Sequence, residues 1–142
     1  MDIKKKVNAL VRKYNTRNPF EIAKCLNLIL VIYPLSGNTR GFYQYFQRNN
    51  IIYIDEMLPE EDQTLVLAHE LGHMVLHKRT NALFLDTRTH LKTYRYEKEA
   101  NTFAAELLIP DSLILENPGY TKNQIARLAG YNEKIMDFKE MN

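Results

Sequence analysis

The chain has 142 residues, of which 19 are Lys or Arg and 17 are Asp or Glu, so its formal net charge at pH 7 is only +2. This near balance gives no reason to expect a nucleic-acid or membrane partner. Apolar residues make up 45% and charged residues 25% of the sequence, as is typical of soluble globular proteins. No repeat or linker divides the chain, and residues 1–142 are expected to form one domain.

Two further features narrow the class of protein. The longest apolar stretch, residues 28–33, is too short to cross a bilayer, and the basic N-terminal residues lead into no secretory segment. These features predict a cytoplasmic protein. The single cysteine, Cys25, excludes an intramolecular disulfide and a cysteine-based zinc site, and we expect it to be a small buried apolar residue.

Two helices are predicted first. Apolar residues at helical spacing, with lysines mostly off that stripe, predict an amphipathic helix containing Ile3, Val7, Leu10, Val11 and Tyr14. A second helix should begin after Asn18, which can cap it, with Pro19 in its first turn and Glu21 completing a capping box. This helix is expected to end at about Asn27.

Three short strands are predicted next. Residues 28–33 form an apolar, β-branched run that ends before Pro34, which is typical of a buried strand. Residues 42–47 and 51–54 flank the polar residues 48–50, and we interpret them as a hairpin. The strands should form a small, mostly antiparallel sheet.

The remainder is predicted to be helical. Long helices are expected over residues 59–78 and, after a polar connection over residues 79–93, over residues 94–109, where a proline follows. Two shorter helices should follow, over residues 121–130 with a capping box at the start and a glycine at the end, and over residues 132–141. The predicted fold class is α+β, a zincin-like domain whose sheet packs on the first long helix.

Residues 69–73 of that helix read His-Glu-Leu-Gly-His, an H-E-x-x-H motif. Histidines four apart lie on one helix face, one turn from each other, so His69 and His73 can bind one metal ion. Glu70 projects beside them and is expected to accept a proton from the attacking water rather than to bind the ion. The motif therefore predicts two metal ligands and a general base.

A zinc site of this kind requires a third protein ligand. Metzincin spacing would require a histidine at position 79, which holds Arg79. His77 continues the histidine row, but it lies about 12 Å along the helix axis from His69, too far to share its ion. We interpret His77 as a structural residue or as support for a ligand.

The second long helix offers three glutamates as the third ligand. On a helical wheel Glu97 borders the apolar face, whereas Glu99 and Glu106 should point largely to solvent. Glu97 is the preferred ligand and Glu99 remains the alternative. Asn101 lies one turn after Glu97 and could orient a ligand by a hydrogen bond.

These segments, taken in order, resemble the ImmA/IrrE family of metallopeptidases. The resemblance covers about residues 18–110 and is carried by Asn18 to Ala23, Leu67 to His73, and Glu97 to Pro110. It leaves residues 111–142 as a C-terminal helical extension. It implies a compact zinc-dependent protease fold in which the two motif histidines and a downstream glutamate bind Zn²⁺.

The resemblance also implies a function. Family members occur in mobile elements, phages and stress responses, and are similar to anti-repressors that cleave a helix-turn-helix repressor. We therefore expect a metalloendopeptidase whose partner is a protein, with Zn²⁺ held by His69, His73 and Glu97 and with Glu70 as the base. The motif does not identify the second donor to the oxyanion, and the candidates are Tyr53, His90, Tyr94 and Tyr96.

Four alternatives remain open. The protein could be a non-proteolytic, metal-stabilised module that binds and sequesters a repressor or antitoxin partner, or the motif could be a coincidence on an ordinary helix. Two histidines and a glutamate suit zinc without excluding manganese or iron. Residues 121–130 could be half of a degenerate helix-turn-helix, although a structural cap or a substrate-docking element is preferred because no basic recognition surface is evident.

Overall fold

A computed structural model describes residues 1–77 and 90–141, with side chains from residue 94 onward in the second segment. The predicted polar connection over residues 79–93 therefore lies largely outside the described residues. Within the described ranges, no helix is both long enough and apolar enough to cross a membrane.

Two helices precede three strands, and the rest of the described chain is helical. The helices are α1 (Ile3–Tyr14), α2 (Pro19–Cys25), α3 (Glu60–His77), α4 (His90–Leu108), α5 (Asp111–Leu115), α6 (Lys122–Ala129) and a 3-10 helix (Glu133–Asp137). The strands are β1 (Ile29–Tyr33), β2 (Gly41–Phe46) and β3 (Asn49–Asp55). The α+β class is confirmed.

The strands form one mixed sheet in the order β1-β3-β2. β2 and β3 pair antiparallel as the predicted hairpin, whereas β1 pairs parallel to β3, with Leu30 beside Ile52. The hairpin turn consists of Gln47 and Arg48, whose φ angles of 50° and 67° are both positive. Two left-handed residues match the twist of the flanking strands, so the turn begins one residue before the predicted segment 48–50.

At the starts of α2 and α6, the predicted residue caps the helix. The Asn18 side chain accepts a hydrogen bond from the Phe20 N–H at 2.9 Å. Glu21 does not complete the box, because it accepts instead from the Thr16 hydroxyl at 2.6 Å, and Thr16 in turn accepts from the Asn18 N–H at 3.0 Å. At α6, the predicted capping box at Thr121 is present and Gly130 ends the helix.

Helix α3 lies at the centre of the fold. It packs against β2, β3, α2 and, most extensively, α4. The main core contains apolar side chains from every one of these elements and from α1, among them Val7, Ile22, Ile52, Ile54, Leu67, Leu71, Phe103 and Leu107. The burial expected for Cys25 was wrong: the thiol is exposed, because the buried face of α2 consists of Pro19, Ile22 and Ala23.

A second, smaller core joins the C-terminal elements to the end of α4. Its buried residues are Ala105, Ile109, Ile125, Ala126, Ile135 and Met136. Helix α5 was not predicted, and the helix expected over residues 132–141 is shorter, a 3-10 helix over Glu133–Asp137. Helix α6 contributes Ile125 and Ala126 to this second core.

The C-terminal segment, residues 133–141, is also held by buried charge. The Lys139 Nζ lies 2.6 Å from Glu106 Oε1 and 2.7 Å from Asp111 Oδ1, and the Glu140 N–H donates to Glu106 Oε2 at 2.8 Å. Glu106 is only 2% exposed. The prediction that Glu106 points to solvent was wrong, because its lysine partner comes from a segment that local periodicity cannot place.

Candidate metal centre

The H-E-x-x-H motif lies in the middle of α3, as predicted. The His69 and His73 rings point to one side of the helix, with ring centroids 4.8 Å apart in an edge-to-face arrangement. His73 is buried, and His69 is partly exposed. The spacing thus brings two imidazoles together at one edge of α3.

Gly72 sets how close α4 comes to this edge. A Cβ atom at Gly72 would lie 3.0 Å from the Cβ of Phe103 and 3.1 Å from both the Cα and the carbonyl oxygen of Ala100. Such contacts are tighter than packed side chains tolerate without a shift. The absence of a side chain therefore lets the two helix backbones approach beside the motif.

The close approach brings Glu97 of α4 into contact with both histidines. Glu97 lies one turn before Asn101. One carboxylate oxygen, Oε2, lies 2.8 Å from His69 Nε2, and the other, Oε1, lies 3.1 Å from His73 Nε2. These contacts hold the pKa of Glu97 well below its ordinary value, although partial burial alone would raise it. The structure therefore brings Glu97 rather than Glu99 to the histidine pair.

The donor set fits a single metal ion. The ligand atoms of His69, His73 and Glu97 all lie within 4.8 Å of one another. Atoms bound at about 2.0–2.2 Å to a tetrahedral zinc ion are separated by roughly 3–3.5 Å, close to the two short separations seen here. Two imidazole nitrogens and a carboxylate oxygen are also the donor types that zinc accepts.

Glu70 lies beside His69 and His73, and its side chain is buried. It is 8% exposed, and burial raises the pKa of its carboxyl group despite the nearby histidines. A hydrogen bond from the Tyr43 backbone, on strand β2, also holds the carboxylate. Its Oε2 lies 4.0 Å from His69 Nε2, so it is beside the histidines without joining the cluster. A carboxylate with a raised pKa is a better proton acceptor.

Each histidine of the pair has a further hydrogen-bond partner. The Asn101 side chain bonds to His69, which together with Glu97 raises the pKa of His69 although burial opposes the rise. The Nδ1 of His73 lies 3.1 Å from His77 Nδ1. The predicted orienting role for Asn101 therefore has a matching contact.

His77 contacts His73 but does not belong to the group of possible metal ligands, as expected from its distance along α3 from His69. Its Nε2 lies 2.9 Å from Glu99 Oε1, and its ring packs against Tyr96 at a centroid distance of 4.5 Å. Burial lowers the pKa of His77. Glu99, which was expected to face solvent and was the alternative ligand, instead contacts His77, and its side chain is only 16% exposed.

A cleft of about 450 Å³ opens beside the cluster. His69, Glu70, Glu97 and Asn101 line one side of it, and its other lining residues are Arg40, Gly41, Leu65, Val66, Ala104, Lys134, Ile135 and Phe138. The sequence did not indicate Arg40 or Lys134 as site residues. They are 94 positions apart in the chain (134 − 40), and only the folded C-terminal segment places Lys134 at the cleft.

None of the tyrosines considered as oxyanion donors lines this cleft. The Tyr53 hydroxyl donates to Gln44 Oε1 at 3.2 Å, Tyr96 packs on His77, and Tyr94 is 68% exposed. The side chain of His90 lies outside the described residues. Among the described residues that line the cleft, Arg40 and Lys134 are the cationic side chains.

A histidine pair on one helix and a glutamate from the next helix, beside a buried second carboxylate, define a metallopeptidase-type centre. The chain belongs to the metallopeptidase family M78: residues 23–138 match its IrrE N-terminal-like domain. The resemblance to ImmA/IrrE proteins is thus confirmed. Membership supports a peptidase that uses a metal.

Two relatives align over most of their length. "Uncharacterized immunity region protein 2" of Bacillus phage phi105 is 39% identical over 142 residues, covering 99% of this chain and 90% of that protein. "Metallopeptidase ImmA" of Bacillus subtilis (strain 168) is 31% identical over 143 residues, covering 96% of this chain and 83% of that protein. The second relative is named as a metallopeptidase and the first by its immunity region.

Proposed function

We propose that this chain is a zinc-dependent metalloendopeptidase, with His69, His73 and Glu97 as metal ligands and Glu70 as general base. The observation that carries the proposal is the bridging carboxylate of Glu97, whose two oxygens contact the Nε2 atoms of both motif histidines. The cluster opens to a cleft large enough for a peptide segment. In this proposal residues 1–142 act as one metallopeptidase domain.

Zinc, when bound, supplies a Lewis acid that polarises the peptide carbonyl and makes a water more acidic. Glu70 accepts a proton from the attacking water and returns it to the departing amine. Its burial favours this exchange, because the raised pKa of the carboxyl group makes proton uptake easier near neutral pH. Asn101 and His77 keep the histidine rings in place.

The proposed substrate is a cytoplasmic helix-turn-helix repressor encoded near this protein. Support comes from the relatives, one named for a phage immunity region and the other as a metallopeptidase. The near-neutral net charge of +2 agrees with contact to the repressor protein rather than to its DNA. In this role the peptidase acts as an anti-repressor.

The test is incubation of the purified repressor with this protein in three conditions: as prepared, with a chelator, and with chelator followed by zinc. We expect cleavage in the first and third conditions only. Gel electrophoresis and mass spectrometry detect and identify the fragments. Repressor that stays intact throughout, with the protein folded and zinc bound, would contradict the proposal.

The non-proteolytic alternative has one observation in its favour. Glu97 on α4 contacts two residues of α3, so a metal at this point would also fasten the two helices. Such a module would sequester the repressor without cutting it. Intact repressor recovered from a stable, zinc-dependent complex, with repression relieved, would favour this function over the peptidase.

A further inference from the structure

A row of hydrogen bonds extends from the metal cluster into the protein behind it. The Nδ1 of His73 contacts His77 Nδ1 at 3.1 Å, and the Nε2 of His77 contacts Glu99 Oε1 at 2.9 Å. On its other side, the His73 ring presents Nε2 to Glu97. Glu99, His77 and His73 thus form a line that ends at the proposed metal position.

The line has a direction, because its last member is a carboxylate. A carboxylate only accepts hydrogen bonds, so His77 must carry its proton on Nε2 and donate it to Glu99. The neutral ring then has a lone pair on Nδ1, which accepts a hydrogen bond from the Nδ1–H of His73. His73 is left with a lone pair on Nε2.

That lone pair faces an oxygen of Glu97 at 3.1 Å. Two acceptors at this distance repel each other unless a proton or a metal ion lies between them, and with the His73 proton held on Nδ1 a metal ion fits this place. Nε2 is also the atom that His73 would use to bind zinc. The arrangement behind His73 therefore selects the tautomer that a metal ligand requires.

Burial makes this selection effective. His77 is 4% exposed and its side chain packs on Tyr96, so water does not readily replace the bond to His73. The Glu99 side chain is 16% exposed and is bonded through Oε1. Its other oxygen, Oε2, lies 3.6 Å from the exposed Arg95, which leaves the contact with His77 intact.

We propose that His77 and Glu99 are positioning residues that hold His73 in the tautomer and orientation for binding metal through Nε2. This inference rests on the proposed metal site, but it assigns new roles to two residues that do not touch the ion. Neither residue is among those that line the cleft, and the hydrogen bonds that connect them to the proposed metal site pass through His73.

Nitrogen-15 NMR of the zinc-loaded protein tests the tautomers without any substitution. Long-range proton–nitrogen correlations distinguish the two neutral forms of each ring. We expect His73 with its proton on Nδ1 and His77 with its proton on Nε2. A proton on Nδ1 of His77 would overturn the proposal, because that ring could not accept from His73.

Zinc affinity of substituted proteins, measured by competition with a chromophoric chelator, provides the second test. His77→Leu should weaken zinc binding roughly 10- to 100-fold, as loss of a partner behind a metal ligand typically does. His77→Gln should recover most of this loss, because its amide can accept from His73 and donate to Glu99. Arg95→Ala, which removes a neighbour of Glu99 outside the row, is the matched control and should bind zinc like the original protein.

Glu99→Leu should also weaken zinc binding. The double substitution with His77→Leu should lose less zinc affinity than the sum of the two single losses, since both act through one contact.

Circular dichroism and thermal melting of the metal-free variants confirm folding. If His77→Leu does not fold, Glu99→Leu and the NMR experiment still decide. Unchanged zinc affinity in folded variants would overturn this inference and leave the proposed peptidase standing. Failure of the original chain to bind zinc would overturn both.

Discussion

Glu70 is a buried carboxylate that also lines a cleft. Burial raises its pKa, while the Tyr43 backbone and the two histidines keep it oriented. A carboxylate in this setting exchanges a proton readily without moving. Glu97, in contrast, has its pKa lowered by contact with the same histidines, so the two carboxylates differ in the direction that the proposed roles of base and ligand require.

Replacement of Glu70 by Gln should separate these roles experimentally. The amide keeps the size of the side chain but cannot accept a proton, so kcat for repressor cleavage should fall about 10²- to 10⁴-fold. Zinc affinity should stay near that of the original protein. Rates are measured from fragment formation and zinc from chelator competition, and a Glu70→Gln protein that cleaves at the original rate would rule out the assigned base.

The local sequence predicts that these side chains lie together, because their arrangement depends mainly on spacing within one helix. His69, Glu70 and His73 follow from a four-residue interval, and Glu97 from its place at the border of an apolar face. Arg40 and Lys134 could not be predicted, because no interval in the sequence relates them to the motif. The contact between Glu99 and His77 joins two helices. It could not be predicted either, because a helical wheel describes only one helix at a time.

At the scale of elements, the position of Glu97 depends on how closely α3 and α4 pack. The contact is set at Gly72, where the backbone of Ala100 and the side chain of Phe103 leave no room for a Cβ. Only a small residue on each helix allows such an approach. The glycine of the motif therefore has a structural role in addition to separating the two histidines.

Gly72→Ala should move α4 away from α3. We expect a loss of about 1–3 kcal/mol in the free energy of unfolding from overpacking, together with weaker zinc binding because Glu97 recedes from the histidines. Urea denaturation and chelator competition measure the two effects. Val75→Ala, at a partly exposed position of α3, is the control and should retain the zinc affinity. Original zinc affinity in Gly72→Ala would show that the approach at this point is not required.

Most elements could be predicted from local patterns, and the errors concern long-range pairing. The apolar run of β1 predicts a strand but cannot reveal that it joins β3 in parallel, because β2 lies between them in sequence. Helix α4 already includes residues 90–93, a turn before the predicted start, because the single apolar residue among these four gave no periodicity to detect. Cys25 was misplaced because composition cannot tell which face of α2 is buried.

At the scale of the whole molecule, the C-terminal segment is fastened to the rest of the fold by charge as well as by apolar contact. Lys139, Glu106 and Asp111 form a network, and the Lys4 ammonium of α1 lies 3.1 Å from Asp111 Oδ1. The network thus joins the two ends of the described chain to the end of α4. It also keeps Lys134, Ile135 and Phe138 at the cleft.

Lys139→Met should be strongly destabilising, because it leaves the buried Glu106 with only the more distant ammonium group of Lys4, at 3.9 Å. A loss of about 3–5 kcal/mol in the free energy of unfolding is typical when one member of a buried pair is removed. Adding Glu106→Leu to this variant should restore much of the stability, since no buried charge remains. Urea denaturation measures both variants, and equal stability of the single and double variants would contradict the assigned pairing.

Asp111 is the exposed carboxylate of this network, and it should make the free energy of unfolding depend slightly on pH. Burial alone would raise the pKa of Asp111, but hydrogen bonds from Lys139 and Lys4 outweigh it and lower the pKa below the ordinary value of 3.8. The paired carboxylate therefore stabilises the fold above that value and loses its contribution as the pH falls through the lowered pKa. Asp111→Asn should lower stability at pH 7 by about 0.5–1 kcal/mol, discounted for exposure.

Denaturation curves of the two proteins at several pH values check this expectation. The difference between them should be constant above pH 5 and shrink as the pH falls below about 4. A difference that persists unchanged at the lowest pH would show that Asp111 acts through something other than its charge.

Three parts of the chain form the cleft. The proposed ligands and base lie on α3 and α4, Arg40 and Gly41 lie at the start of β2, and Lys134, Ile135 and Phe138 of the C-terminal segment form a wall that includes none of the proposed metal ligands. Under the proposed function, substitutions in that wall would change which peptide is accepted while the proposed ligands and base stay in place. A few altered C-terminal residues would then suit the enzyme to a different repressor, and an engineer seeking a new cleavage specificity would start from the same three positions.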